Sequence, residues 1–203
     1  YGENYSARLE YYRKSAGILS VSLFRRDITD LHFQRTQVPA EELGLEADYP
    51  GYLFTSWDNA NNFKTEGYEI EYNQQLTMLP GALRGLGVFA NYTRKRNSNA
   101  AFAYGSSPSN VSAGLTYRYR KFSTSFRGSW SGDTVTSATL YREARTIVGL
   151  SAGYRLPRNM SVYISGRNVL RSPIATYRND RPDHLTAYGQ FGSNWTIGLE
   201  GRF

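Results

Sequence analysis

The sequence predicts an all-β protein, namely a transmembrane antiparallel up-and-down β-barrel segment of about nine strands. Three observations lead to this fold class. Apolar and polar residues alternate over nine stretches, aromatic residues stand at the ends of the apolar faces, and the 203 residues include 17 tyrosines and 19 glycines. Such strands fit a bilayer, because tyrosine and tryptophan prefer the two membrane–water interfaces.

The last ten residues show the pattern most completely. Their apolar face carries Trp195, Ile197, Leu199, Gly201 and Phe203, and mostly polar residues stand between them. In a soluble sandwich this row would face a core, and aromatic residues would have no reason to begin and end it. The strand is therefore predicted to cross a membrane, with one aromatic residue at each interface.

Alternation predicts the nine strands in chain order, joined by short turns and long connections in turn. The strands cover about 5–12, 18–27, 63–75, 86–93, 111–117, 122–130, 148–154, 161–167 and 194–203. The short turns lie near Lys14, Pro80, Lys121 and Pro157. Short turns face the periplasm in outer-membrane barrels and long loops face outside, so the C-terminus is predicted on the periplasmic side.

The predicted direction of each strand assigns its aromatic residues to one of two girdles, one at each membrane interface. The predicted periplasmic girdle is Tyr11, Tyr72, Tyr117, Phe122, Tyr154 and Phe203. The predicted outer girdle is Tyr5, Tyr92, Trp130 and Trp195. A mere preference of aromatic residues for strands predicts no such sorting.

The first long connection, residues 28–62, shows no sustained alternation. Within it, Val38–Gly44 predicts one helical turn, because Pro39 suits the start of a helix and Gly44 suits the position after its end. The connection is therefore predicted to be an outer loop with structure of its own.

This loop also carries the candidate ligand-binding residues. Between Arg35 and Lys64 there is no basic residue, whereas five acidic residues and several aromatic ones occur; the candidates are Tyr49, Tyr52, Phe54 and Trp57. Aromatic side chains with a few polar groups suit a ring-containing ligand. A loop that packs on its own side chains explains them equally well.

Charged residues on the polar faces of the strands are predicted to point into the barrel lumen. They are Arg8, Glu10, Glu69, Glu71, Arg118, Arg127, Arg167 and Glu200. Charges scattered along several strands favour lumen networks, or contacts with a domain inside the barrel, over a selective filter.

Composition and motifs argue against several other functions. The mean hydropathy of −0.54 and the lack of a long apolar run exclude helical membrane spans. The net charge of +7 comes from scattered arginines, so no nucleic-acid partner is predicted. The absence of cysteine excludes disulfides and thiolate metal sites. No metal cluster or cofactor motif is present, and the two histidines, His32 near Asp30 and His184, suggest at most a remote outer-membrane hydrolase.

Three stretches resemble TonB-dependent outer-membrane receptors. Gly67–Tyr72 follows an approach containing Asn59, Asn61 and Asn62 and is similar to the family's "N…G-v-E-l-e" strand. Gly166–Leu170 is similar to the family's "N-L-F" strand end, with Val169 and Leu170 where that family often has Leu-Phe, and Gly201–Phe203 is similar to its C-terminus. The resemblance implies a 22-stranded barrel around an N-terminal plug, of which residues 1–203 would be the C-terminal part.

The resemblance also implies function, location and partners. The function is energised uptake of a ferric siderophore or other scarce nutrient across the outer membrane of a Gram-negative bacterium. The implied partners are outer-membrane lipid and lipopolysaccharide, the N-terminal strands and plug of the same protein, the TonB complex, a small-molecule ligand and the barrel-assembly machinery. For the last of these, the assembly signal is formed by Trp195, Ile197, Leu199 and Phe203. A passive porin or a secretion barrel is the alternative function.

An odd number of strands has a physical consequence. Bacterial single-chain barrels have an even number, which leaves no free sheet edge. Backbone groups left unpaired in lipid cost several kcal/mol each. Nine strands alone are therefore expected to need further strands to close the wall.

Overall fold

The computed structural model describes residues 1–13, 17–30, 32–59, 62–98 and 104–201. Lys14, Asn61 and Phe203, which were named above, lie outside these ranges. No helix in the described ranges is long and apolar enough to cross a membrane. These ranges contain two 3₁₀ helices, Ala40–Leu43 and Gly81–Gly85. The strands are β1 (Gly2–Arg13), β2 (Gly17–Thr29), β3 (His32–Pro39), β4 (Leu53–Asn59), β5 (Asn62–Gln75), β6 (Leu86–Asn97), β7 (Ser109–Tyr119), β8 (Phe122–Ser131), β9 (Thr134–Val135), β10 (Leu140–Arg142), β11 (Arg145–Arg155), β12 (Met160–Arg167), β13 (Ile174–Arg178), β14 (Leu185–Gly189) and β15 (Asn194–Gly201).

The main sheet has nine strands in the order β1-β2-β5-β6-β7-β8-β11-β12-β15, and every neighbouring pair is antiparallel. These are the nine strands predicted by alternation, so the all-β, antiparallel up-and-down fold is confirmed. Strands adjacent in this sheet follow one another along the chain once the loop strands are set aside. β1 and β15 form the two edges.

Cross-strand pairing in this sheet is staggered. A row of directly paired residues runs from Tyr72 of β5 through Ala90, Ala113 and Gly128 to Val148 of β11. Tyr154, which belongs to the same predicted girdle as Tyr72, lies further along β11, near its short turn. Closing a sheet into a barrel requires tilted, staggered strands, so an aromatic girdle at one height crosses several rows.

The exposure of the two faces is the reverse of that in a soluble sheet. On the face that we call the apolar face, Leu9 is 76% exposed and Ile197 is 75% exposed. On the opposite, polar face Ser20 is only 2% exposed, although its neighbours Leu19 and Val21 are exposed. A continuous exposed apolar surface across nine strands requires an apolar partner, and a bilayer supplies one.

Aromatic side chains pack directly against glycines of the neighbouring strand. The pairs are Phe24–Gly67, Phe89–Gly114, Tyr163–Gly198 and Trp195–Gly166, and each pair is directly opposite in the register. At Gly114, an added Cβ would meet the Phe89 ring at 2.7 Å. The missing side chain therefore provides the space for the ring, as in aromatic rescue of glycine.

The long connections contain strands that the alternation does not reveal. Residues 28–62 form the β3–β4 hairpin around the predicted helical turn, which is the 3₁₀ helix Ala40–Leu43 closed by Gly44 at φ 69°. The connections after β8 and β12 supply a separate four-stranded sheet, in the order β14-β13-β10-β9. Most of these strands have five residues or fewer, which is too short for period-two alternation to stand out.

Candidate functional site: the polar face and the outer loops

The polar face of the main sheet holds an ion-pair network across its first strands. Arg8 Nε lies 2.6 Å from Glu10 Oε1, and Arg8 Nη2 lies 2.9 Å from Glu71 Oε2. Ser20 Oγ donates to the same Glu71 oxygen at 3.4 Å. The register produces this meeting, because Ser20 of β2 lies directly opposite both Glu10 of β1 and Glu71 of β5. Three of the charges predicted for the lumen are thus brought together.

The other predicted lumen charges are distributed along the sheet. Glu69 accepts a hydrogen bond from Asn91, and the Arg127 guanidinium lies 5.0 Å from the centre of the Phe89 ring. The remaining three charges make no ion pair with any residue in the described ranges; they are Arg118, Arg167 and Glu200. Exposed ion pairs contribute little to stability, so the significance of this face lies in its fixed pattern of charge.

In the β3–β4 loop the structure brings three of the four candidate aromatic residues together. The Tyr49 ring meets the Tyr52 ring edge-on with centres 6.0 Å apart, and it meets the Phe54 ring at 5.7 Å. Arg35 of β3 forms two ion pairs within this loop, with Nη2 2.8 Å from Glu42 and Nη1 3.4 Å from Asp58. Tyr52 remains 62% exposed, so the cluster presents aromatic surface to solvent.

Trp57 lies apart from this cluster. β4 is regular from Leu53 to Asn59, so side chains alternate between its two faces, and Trp57 is on the face opposite Phe54. The bulge in this hairpin falls in β3, between Arg35 and Val38, and therefore does not change the alternation of β4. Trp57 is 68% exposed, and Leu53, on the same face of β4, is 62% exposed. The loop thus has two separate aromatic surfaces.

The four-stranded sheet joins two outer loops that are distant in sequence. Tyr141 of β10 lies directly opposite Tyr177 of β13, and their rings stack with centres 5.8 Å apart. Partial burial raises the pKa of Tyr141. At the tip, Arg178 donates from Nε and Nη2 to Asp180 at 2.8 and 2.9 Å, and these hydrogen bonds lower the pKa of that carboxyl. Nothing in the alternation of the sequence indicates this sheet.

Asn168 anchors the second of these loops to the barrel wall. It follows β12 with φ 55°, a left-handed conformation that asparagine tolerates. Its side chain accepts from Ser172 N at 2.9 Å and donates to Phe191 O at 3.0 Å. Arg145 Nη2 donates a further hydrogen bond to Ser172 O at 2.9 Å. The asparagine of the Gly166–Leu170 stretch therefore has a local structural role.

The residues considered for catalysis are not assembled into a catalytic pair. Asp30 accepts a hydrogen bond from Asn59 Nδ2 at 3.1 Å and so joins the ends of the β3–β4 loop. His32 lies in β3 and His184 lies before β14, in another loop. Across the described ranges, no group of three or more His, Cys, Asp or Glu residues is placed to hold a metal ion.

Clefts occur on the wall itself. One of about 810 Å³ lies toward the short-turn end, lined by residues that include Gln75, Arg118 and Tyr163. Another of about 640 Å³ lies at the outer end beside Gly67, Lys95 and Asp133. An isolated wall has open grooves wherever loops lean over it, so cleft size does not identify the ligand surface here.

Comparison with known proteins identifies the family. The family model described as "TonB dependent receptor-like, beta-barrel" matches residues 1–169. The chain belongs to this family. Residues 1–169 contain eight of the nine strands of the main sheet, together with the Arg8–Glu10–Glu71 network, so the match covers most of the receptor wall described here.

Solved structures of receptors and transporters share the fold. The chain is similar to the receptor in the FpvAI–pyocin S2 complex (17% identity, TM-score 0.62), to the ferric-catecholate import receptor Fiu from E. coli K12 in its closed form (15%, 0.60) and to the copper transporter OprC (14%, 0.63). Each match covers 98% of this chain, but only 27%, 27% and 30% of the respective structure. The chain therefore spans less than a third of these proteins. None of the curated protein sequences matches it.

Proposed function

We propose that this chain is the C-terminal part of the barrel of a TonB-dependent transporter in the outer membrane of a Gram-negative bacterium. The transporter takes up a ferric siderophore or another scarce nutrient, which the outer loops capture before it passes the barrel. Strands upstream of β1 complete the wall, and a plug inside it makes passage depend on the TonB complex.

The observation that carries this proposal is the reversed exposure of the nine-stranded sheet. Its apolar face is exposed from Leu9 on β1 to Ile197 on β15, whereas its polar face holds the ion pairs of Arg8. A wall with lipid on one side and water on the other requires this arrangement. Family membership supports energised transport over passive diffusion, and the solved relatives include a ferric-catecholate import receptor and a copper transporter.

The test is uptake by cells that produce the intact protein. Labelled ferric siderophores of the catecholate and hydroxamate classes, and copper as a separate cargo, would be supplied at low concentration to strains with and without TonB. We expect one cargo to accumulate only when both the protein and TonB are present. Abolishing the proton-motive force should stop accumulation to the same extent.

A passive porin gives a different result in the same experiment. Its uptake would follow the concentration gradient, would be unaffected by loss of TonB, and would be accompanied by large steady conductance in planar bilayers. Uptake that is unaffected by loss of TonB, or a large steady conductance, would replace the transporter proposal with the porin alternative.

A further inference from the structure

Above the outer aromatic girdle, basic side chains gather on the lipid side of a few neighbouring strands. Tyr68 of β5 is directly opposite Arg94 of β6, and Glu66 is directly opposite Arg96. Directly paired residues point to the same face, so both arginines lie on the apolar face with Tyr68. Tyr92 lies one step below Arg94 on the same face, and its ring centre is 5.9 Å from that of Tyr68.

Two further cations extend this group, which we call the rim patch: Arg25, Lys64, Arg94 and Arg96. Arg25 pairs with Glu66 in the register and lies 2.7 Å from Asp27, while Lys64 lies 2.6 Å from Glu66. These two cations are neutralised by their carboxylates.

Arg94 and Arg96 differ from the other two cations of the rim patch. No described carboxylate makes an ion pair with either of them, and both are exposed. Arg94 Nη1 donates to Ser109 Oγ at 2.6 Å, which orients the guanidinium beside β7. Glu66, directly opposite Arg96, is already paired with Lys64, so the four cations of the rim patch face only two carboxylates, Asp27 and Glu66, and two positive charges are in excess.

The height of these two arginines matches the headgroup layer. Successive residues on one face of a strand are about 7 Å apart, so Arg94 and Arg96 stand about 7 and 13 Å beyond Tyr92 along the strand. A strand tilt of about 40° reduces these distances to roughly 5 and 10 Å along the membrane normal. The polar layer outside the hydrocarbon core is about 5–8 Å thick on each side, so the guanidiniums reach into and across it.

None of the other described strands carries a basic residue at this position. On β1 the residue there is acidic, Glu3, which lies directly opposite Asp27. On the remaining strands the residues that follow the lipid-facing row on the outer side are uncharged: Ser109 of β7, Gly132 after β8, Thr146 of β11, Asn168 after β12 and Ser193 before β15. The basic residues are therefore confined to β2, β5 and β6 among the described strands.

We propose that Arg94 and Arg96 bind a phosphate group of an anionic outer-leaflet lipid, with Arg25 and Lys64 at the edge of the site. Guanidinium groups bind phosphate in a bidentate fork, and Tyr68 beside Arg94 and Tyr92 below it suit the junction of headgroup and acyl chains. This inference rests on the proposed outer-membrane location. It assigns a lipid site outside the barrel, distinct from the ligand surface of the loops.

The experiment uses the full-length receptor, purified in a zwitterionic detergent and titrated with bis-phosphorylated lipid A by native mass spectrometry. A charge near an anionic surface contributes about fivefold in affinity, so the double variant Arg94→Gln/Arg96→Gln should bind about thirtyfold more weakly. Arginine-to-lysine replacement at both positions should retain part of the affinity, because the charge remains but the fork is lost.

The matched control removes two cations at the same height from the polar face. Arg26 of β2 and Lys95 of β6 adjoin the rim patch in sequence but point the other way, since Lys95 is opposite Gly67 on the polar face. Arg26→Gln/Lys95→Gln should change lipid affinity by less than about twofold. Heat-modifiable migration of each variant confirms that the barrel is folded.

Three results would overturn the proposal: equal weakening by the two double variants, unchanged binding by Arg94→Gln/Arg96→Gln, or displacement of lipid A by millimolar inorganic phosphate, which would indicate a general anion site. A receptor that shows any of these results but still performs TonB-dependent uptake refutes only the lipid site. A protein that fails to insert into membranes refutes the proposed function as well.

Discussion

Adjacent residues of β15 face different solvents, and this difference can be measured at single positions. Ile197 is paired with Ile164 on the apolar face, and Thr196 is paired with Ser165 on the polar face. Arginine at Ile197 should lower the free energy of unfolding of the intact receptor in lipid vesicles by roughly 2–4 kcal/mol, because the charge would enter the hydrocarbon. Arginine at Thr196 should cost much less.

A soluble sheet would also be destabilised by Ile197→Arg, so the rim of the same strand provides the discriminating control. Trp195, whose Nε1 donates to Ser193 Oγ at 3.1 Å, should accept tyrosine and should tolerate arginine better than Ile197 does. Equal penalties at Ile197 and Thr196, or a larger penalty at Trp195 than at Ile197, would show that β15 does not cross a membrane.

A second residue-scale prediction concerns the glycines beneath aromatic rings. A Cβ at Gly114 would collide with the backbone oxygen of Phe126 as well as with the Phe89 ring, so Gly114→Ala must displace β8. We expect a loss of about 1–3 kcal/mol of unfolding free energy, as in other overpacked sites. Gly128→Ala is the matched control, since its Cβ would meet nothing closer than Ala113 O at 3.9 Å. Similar denaturation midpoints for the two variants would contradict the close approach.

At the scale of elements, the pairing of two outer loops can be tested by a disulfide. The chain has no cysteine, so Tyr141→Cys/Tyr177→Cys introduces a single possible bond between directly opposite residues of β10 and β13. Opposite residues have Cα atoms about 4.5–5.5 Å apart, which suits a disulfide. We expect spontaneous cross-linking, read as a linked peptide by mass spectrometry.

The control for this experiment uses the outermost strands of the same small sheet. β9 and β14 are three strand spacings apart, or about 14 Å, so Val135→Cys/Leu185→Cys should remain reduced. Cross-linking of both pairs to the same extent would mean that the loops collide at random instead of sharing a sheet.

The aromatic residues of the first outer loop offer a prediction about ligand capture. Replacing Tyr49, Tyr52 and Trp57 with serine should weaken ligand binding by the intact receptor about tenfold or more, because aromatic contacts contribute about 0.5–1.5 kcal/mol each. Tyr49 and Tyr52 belong to one surface and Trp57 to another, so testing the pair and the single variant separately identifies the surface that binds. Unchanged affinity in the triple variant, measured by equilibrium binding to cells, would exclude this loop.

At the scale of the whole molecule, the nine-stranded sheet has two open edges, β1 and β15. Their unpaired backbone groups would cost several kcal/mol each in lipid. Residues 1–203 expressed alone should therefore fail to form a closed monomer, and their electrophoretic mobility in detergent should not change on heating. A heat-modifiable, protease-resistant monomer of this length would show that the wall can close on itself.

The sequence predicted well those features that depend only on neighbouring residues or on alternation along one strand. Pro39 and Gly44 delimit a helical turn through their own backbone preferences, and the structure contains it as Ala40–Leu43. The polarity of the wall followed from alternation, since a residue's face depends only on its parity along the strand. The Arg8–Glu71 ion pair was not specified in advance, because it depends on the register between β1, β2 and β5.

The sequence by itself determined the nine strands, their apolar and polar faces and the membrane-spanning class, because alternation and aromatic ends are properties of single strands. The tertiary structure alone decided that Trp57 lies apart from Tyr49, that β10 pairs with β13, and that Arg94 and Arg96 stand directly opposite Tyr68 and Glu66. These features depend on which distant segments meet and in which register. The pairing and its register are set by hydrogen bonds between separate strands, so no single segment encodes them.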